Sequence, residues 1–130
     1  MGKIYRCALE PRGYEMDSFG HVNNAVYFNY LEYARWKMLA EEGITLPLLE
    51  SLQRWPVIAA IEAKYYKPTY MGDQLEVRTE CVHHRKASYT FEQKIYRGEV
   101  LVFAAKVEGV MVNENGRPAL SPPEMERIWT

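Results

Sequence analysis

Residues 14–43 read YEMDSFGHVNNAVYFNYLEYARWKMLAEEG, and a loop and a helix meet inside them. From Tyr14 to Val22 the residues are polar and without period, as in a loop. Asn23 and Asn24 follow, and either can cap a helix, because a short amide side chain accepts from N–H groups that a first helical turn leaves without partners. From Ala25 to Glu42 the apolar spacing is helical: Tyr27, Leu31, Ala34 and Met38 fall at i, i+4, i+7 and i+11 on one face. Glu32, Arg35 and Glu42 lie off that stripe, Lys37 flanks it, and Gly43 stands where a left-handed residue closes a helix. Such a helix spans about 27 Å, the length of a strand of roughly eight residues.

Outward from this helix the chain alternates with period two. Upstream, Lys3 to Leu9 sets Ile4, Arg6 and Ala8 against Tyr5, Cys7 and Leu9, and Pro11 with Gly13 ends the run. Downstream, a short helical turn is predicted over Pro47 to Arg54. Four long strands are predicted after Trp55-Pro56. The first puts Val57, Ala59, Ile61, Ala63 and Tyr65 on one face; the others carry Leu75 to Cys81, Tyr89 to Ile95 and Leu101 to Val107. Pro118 to Thr130 reads as a surface appendage. The order is strand, long helix, four strands: an α+β domain covering residues 1–130, one helix laid across a curved antiparallel sheet of about five strands. One helix cannot cover both faces and all edges of such a sheet, so a homodimer or homotetramer is expected.

Composition bounds the function. The chain has 130 residues, 48% of them hydrophobic and 25% charged, as in ordinary globular proteins. A net charge of −1 gives no basic field for nucleic acid, so any anionic ligand needs a local patch of Lys and Arg. Cys7 and Cys81 lie outside any CxxC spacing and read as reduced structural thiols. The N-terminus lacks the apolar core of a signal peptide and no stretch is long enough to span a bilayer, so a cytoplasmic protein without stable membrane insertion is expected. His83 and His84, adjacent on a strand, point to opposite faces and cannot chelate one ion together; Asp17 and His21 show no third ligand. No metal site is expected, and the phosphate-loop, dinucleotide and serine-hydrolase motifs are absent.

The chemistry lies in Asp17-Ser18-Phe19-Gly20-His21-Val22-Asn23-Asn24-Ala25-Val26-Tyr27. A carboxylate stands a few residues before the N-terminus of the long helix. That terminus offers free N–H groups and partial positive charge, which can hold a carbonyl oxygen and the negative charge that develops on it. The carboxylate can then act on the carbonyl carbon, directly or through water. This is the arrangement that acyl transfer needs.

The segment GYEMDSFGHVNNAVYFNYLEYAR resembles the opening motif of the 4-hydroxybenzoyl-CoA thioesterase family, whose members have the hotdog fold: an Asp, a Gly shortly after it, His-Val-Asn-Asn, and a Tyr one helical turn on. Tyr66-Lys67-Pro68 with Gly72-Asp73 resembles the family's second strand and turn, and the order of elements agrees from about Lys3 to Val112. The resemblance implies an acyl-CoA thioesterase that releases a free fatty or aryl acid and coenzyme A. Asp17 takes the position of the catalytic carboxylate, as nucleophile or as general base. Gly20 lets the backbone approach the thioester, and the His21 amide polarises its carbonyl. Asn24 positions the acyl group or the water, and Tyr27 lines the pocket. No cofactor is implied, coenzyme A being part of the substrate. Glu15-Met16-Asp17 departs from the Asp-Thr-Asp run of the Tol–Pal-associated members and leaves the substrate open.

Coenzyme A carries anionic phosphates, and the basic turn His83-His84-Arg85-Lys86 has the side chains to hold them. Arg85, Lys86 and the Ser88 hydroxyl or amide are candidate substrate contacts, with Lys64 and Lys67 from the second strand; relatives often use this turn for the neighbouring subunit's site. The rival readings are an acyl-carrier-protein thioesterase, a hydratase or dehydratase of the same fold, and an acyl-thioester binding module without turnover. The hydratase chemistries need a His base paired with an acid, which the motif does not provide. A pure binder would have no use for Asp17.

Overall fold

The computed structural model describes residues 2–130. Its strands are β1 (Ile4–Leu9), β2 (Trp55–Tyr65), β3 (Leu75–His84), β4 (Ser88–Arg97) and β5 (Val100–Val112). They form one antiparallel sheet in the spatial order β1-β3-β4-β5-β2. β3, β4 and β5 follow one another through tight turns, and Gly98 supplies the left-handed residue between β4 and β5. β1 and β2 are the two edges. The chain leaves one edge, lays the helix α1 (Val26–Glu41) across the sheet, adds the short helix α2 (Leu46–Leu52), and returns as the opposite edge.

α1 buries Tyr27, Tyr30, Leu31, Ala34, Met38 and Leu39, which includes the whole stripe read from the sequence. The facing residues alternate as period two requires: Leu75, Val77, Thr79 and Cys81 of β3, Tyr89, Phe91, Gln93 and Ile95 of β4, and Phe103, Ala105 and Val107 of β5 are all buried. Each large apolar side chain buried in this way contributes about 1.5–3 kcal/mol. Gln93, in the middle of this layer, is satisfied rather than stranded: its Nε2 donates to the Leu31 carbonyl (3.1 Å) and to Thr79 Oγ1 (3.0 Å), and its Oε1 accepts from Arg35 (2.9 Å).

Two expectations are corrected. Strand β2 does not keep one alternation: Ile58 pairs with Gly109 and Ala60 with Glu108, so Ala59 is an extra residue, a bulge. After it the phase is reversed, and Ile58, not Val57, joins Ile61 and Ala63 on the side of α1. The tail is also not an appendage. It ends in a short helix, α3 (Glu126–Trp129), and buries Met125, Ile128 and Trp129. Trp129 stacks on His84 (5.1 Å, 8° between ring planes), and Arg127 Nη1 donates to the Glu42 carbonyl at the end of α1 (2.9 Å). The apolar residues at i, i+3 and i+4 carried the signal, but three prolines at 118, 122 and 123 made the segment look like an unstructured end.

Candidate active site

Residues 16–22 fold into a tight reversal. Met16 and Val22 pair as an antiparallel bridge, Asp17 N donates to the His21 carbonyl (2.7 Å), and Gly20 N donates to the Asp17 carbonyl (3.1 Å). Gly20 has φ +77°, a backbone state that a residue with a Cβ rarely adopts. Asp17 Oδ1 accepts from Phe19 N (2.9 Å) and His21 N (3.0 Å). Both bonds fall on one oxygen; Oδ2 takes none among the described residues, and Asp17 lines an open cleft of about 520 Å³.

Four hydrogen bonds hold this loop and its flanks in place. Asn23 N donates to the Glu15 carbonyl and Val22 N to the Thr69 carbonyl, both at 2.8 Å. The Glu15 carboxylate accepts from Tyr30 Oη on α1 at 2.6 Å and from Arg12 N at 2.8 Å. Burial first, and then the Glu15 carboxylate beside it, push the Tyr30 phenol well above its ordinary value, so it remains a donor. At the helix start the division between the two asparagines is clear. Asn23 makes the turn that leads into α1, its Oδ1 accepting from Ala25 N (3.0 Å) and its carbonyl from Val26 N (2.9 Å), while Asn24 faces the cleft. These turn bonds use the Ala25 and Val26 N–H groups, not those of Asn24 and Tyr27.

The cleft floor is aromatic. Tyr27 is 3% exposed, stacks on Phe103 (5.0 Å, 17°), and shares a hydrogen bond with the buried Thr69 hydroxyl (2.8 Å). It is the wall of the cleft and also part of the core. Tyr65 meets Tyr27 edge-on (5.2 Å, 89°) and donates to the Asn24 carbonyl (2.7 Å). His21 meets Tyr70 edge-on at 5.2 Å. The structure therefore brings Asp17, His21, Asn24, Tyr27 and Lys67 to one cleft, with Gly20 forming the turn beneath. The His21 amide, read from the sequence as the group that polarises a carbonyl, points instead at Asp17 Oδ1.

Lys64 lies on the outer face of the sheet with Glu62, Lys94 and Lys106, away from Asp17. Arg85 and Lys86 sit in the turn between β3 and β4 and Ser88 begins β4, at the end of the sheet where Trp129 packs. The cleft is at the other end, and β3 alone separates the two by about 30 Å. One chain does not join the basic turn to its own Asp17. Sequence reading missed Tyr65, Thr69 and the Glu15–Tyr30 pair. Tyr65 was read as a strand end, and no local signal ties Thr69 to Tyr27 or Glu15 to Tyr30.

Residues 11–128 match the thioesterase-like superfamily. Among curated proteins the chain is 28% identical over 124 residues to the chloroplastic acyl-acyl carrier protein thioesterase ATL3 of Arabidopsis thaliana, covering 94% of this chain but only 65% of that protein's length. It is 31% identical over 96 residues to the acyl-CoA thioester hydrolase YbgC of Escherichia coli, covering 74% of this chain and 72% of the relative. The crystal structure of a hypothetical protein from Aquifex aeolicus superposes with a TM-score of 0.87 at 26% identity, over 98% of this chain and 99% of that one. With the carboxylate loop, the long helix and the five-stranded sheet all in place, the chain belongs to the thioesterase-like superfamily.

Proposed function

We propose that the protein hydrolyses acyl-CoA thioesters to a free acid and coenzyme A, with Asp17 as the catalytic carboxylate. The observation that carries this reading is the position of Asp17: its carboxylate is held by two backbone N–H groups at the edge of a cleft that also receives the N-terminus of α1. The thioester carbonyl lies against that terminus, where helix N–H groups hold the charge of a tetrahedral intermediate. Asp17 either takes a proton from water as the water oxygen attacks the carbonyl carbon, or attacks the carbon itself and is freed by water in a second step. In both routes the C–S bond breaks and coenzyme A leaves as a thiolate that is then protonated. A thiol is far more acidic than an alcohol, so this departure needs no strong general acid. The reaction uses no cofactor.

The motif over residues 13–35 supports kinship with the 4-hydroxybenzoyl-CoA thioesterase branch, and Lys67 lines the cleft, where it can meet a phosphate. Arg85, Lys86 and Ser88 serve the coenzyme A of the neighbouring subunit in a homo-oligomer, since their own cleft is out of reach. The likeness to ATL3 favours a second carrier, an acyl carrier protein thioester.

The test is thiol release from a panel of aliphatic and aryl acyl-CoAs and acyl carrier protein thioesters, with Asp17→Asn alongside. Turnover that falls by roughly a thousandfold or more in the variant is expected, the size of effect seen when central catalytic groups are removed. A variant as active as the wild type would remove Asp17 from the reaction.

A further inference from the structure

The space between α1 and the sheet is filled unevenly. α1 packs over β1 and β3 and stands off from the edge strand β2. Along that flank α1 and β2 run in opposite directions, from Tyr27 beside Tyr65 at one end to Trp36 and Leu39 beside Ile58 at the other. The far end holds a mainly apolar crevice of about 70 Å³, lined by Trp36, Leu39, Ile58, Phe91 and Met125, with the charged Glu32 and Arg35 also in its wall. From Asn24 to Trp36 the helix rises about 18 Å, long enough to accompany an extended acyl chain. The crevice and the catalytic cleft nevertheless share no residue.

At the cleft end of this flank stands Tyr65, the last residue of β2. Its ring is set edge-on to both Tyr27 (5.2 Å, 89°) and Phe103 (4.9 Å, 75°), and its hydroxyl donates to the Asn24 carbonyl on the helix side (2.7 Å). The side chain thus bridges from the edge strand to the helix N-terminus. Next to it Tyr27, Leu31 and Phe103 are packed to almost no exposure. Tyr65 itself is 49% exposed, so its ring belongs to the surface of the groove and not to the core.

Resting on the thioesterase reading, we propose that Tyr65 is the residue that sets acyl specificity: it closes the groove between α1 and β2 and confines the acyl group to the cleft. The substrates are then short aliphatic or aromatic acyl thioesters, the latter seated against the Tyr27 and Tyr65 rings. Long aliphatic chains are excluded because the apolar crevice farther along α1 lies beyond Tyr65 and shares no lining residue with the cleft.

Steady-state hydrolysis of butyryl-, benzoyl- and decanoyl-CoA tests this in the wild type, Tyr65→Ala and Tyr65→Phe. The wild type favours butyryl- or benzoyl-CoA over decanoyl-CoA. Tyr65→Ala raises kcat/KM for decanoyl-CoA relative to butyryl-CoA by about tenfold or more, the discrimination available from a few methylenes in an apolar pocket. Tyr65→Phe keeps the ring and the length preference while losing the bond to Asn24. The same ratios, read as binding by calorimetry in the Asp17→Asn background, separate the two failures. Gate-dependent binding without turnover on any thioester sinks the hydrolase reading alone. A wild type that takes decanoyl-CoA as readily as butyryl-CoA, or a Tyr65→Ala ratio equal to the wild type's, overturns the gate.

Discussion

At the scale of single residues the site is organised by a second carboxylate. Glu15 sits two positions before Asp17, and its side chain is tied to Tyr30 on α1 by a 2.6 Å bond from a buried phenol. The same loop is held from the other side by Thr69, whose carbonyl accepts from Val22 and whose hydroxyl meets Tyr27. Asp17 is therefore aimed by a clamp whose two jaws come from the helix and from the β2–β3 connection. Replacing Tyr30 by Phe keeps the ring and removes the donor. A hydrogen bond to an ionised acceptor is worth about 1.5–3 kcal/mol, and we expect Tyr30→Phe to lose that much in urea unfolding. With the loop loosened, kcat falls while KM changes little. An unfolding midpoint indistinguishable from the wild type's would show that the bond does not clamp the loop.

At the scale of elements, β4 and β5 depend on a matched pair. Tyr89 and Gly109 are directly opposite each other, and the Tyr89 ring occupies the space where a residue other than glycine would carry its Cβ. The ring cannot easily yield, because it is buried and packed against Phe91 (5.1 Å) and Trp129 (5.7 Å). Gly109→Ala is expected to destabilise the fold by about 1–3 kcal/mol through overpacking, read as a lower thermal midpoint. Combined with Tyr89→Val, which removes the ring, the two effects should fall short of additive. Additivity would mean that the two residues do not meet in this way. The same cluster explains why the C-terminal segment is structural: Trp129 completes the wall behind Tyr89.

At the scale of the whole molecule, β2 is an edge strand eleven residues long, with Val57 43% and Ile58 41% exposed. An edge of that length and apolarity is a template for another strand. Pairing through β2 would also place a second copy's surface beside the Tyr65 end of the cleft. We expect the protein to sediment at the mass of two or more chains. Val57→Lys, which puts a charge on the edge, is expected to shift it toward one chain with loss of turnover. A wild type that sediments as a single chain at assay concentration would contradict an assembly built on this edge.

The sequence by itself determined what repeats locally. The helical stripe from Tyr27 to Met38, the period-two faces of β3, β4 and β5, and the contiguous run from Asp17 to Tyr27 are all written in spacings of a few residues, so the fold class and the loop of the candidate site were legible. The tertiary structure decided whatever joins residues far apart in the chain. The Ala59 bulge depends on the register with β5, and the burial of Trp129 on a surface made by β3 and β4. Likewise Tyr30 reaches Glu15, Tyr27 reaches Thr69 and Tyr65 reaches Asn24 only once α1 lies across the sheet. The physical reason is that a hydrogen bond or a packed ring is fixed by position in space, and chain spacing specifies position only within an element, where backbone geometry sets the period.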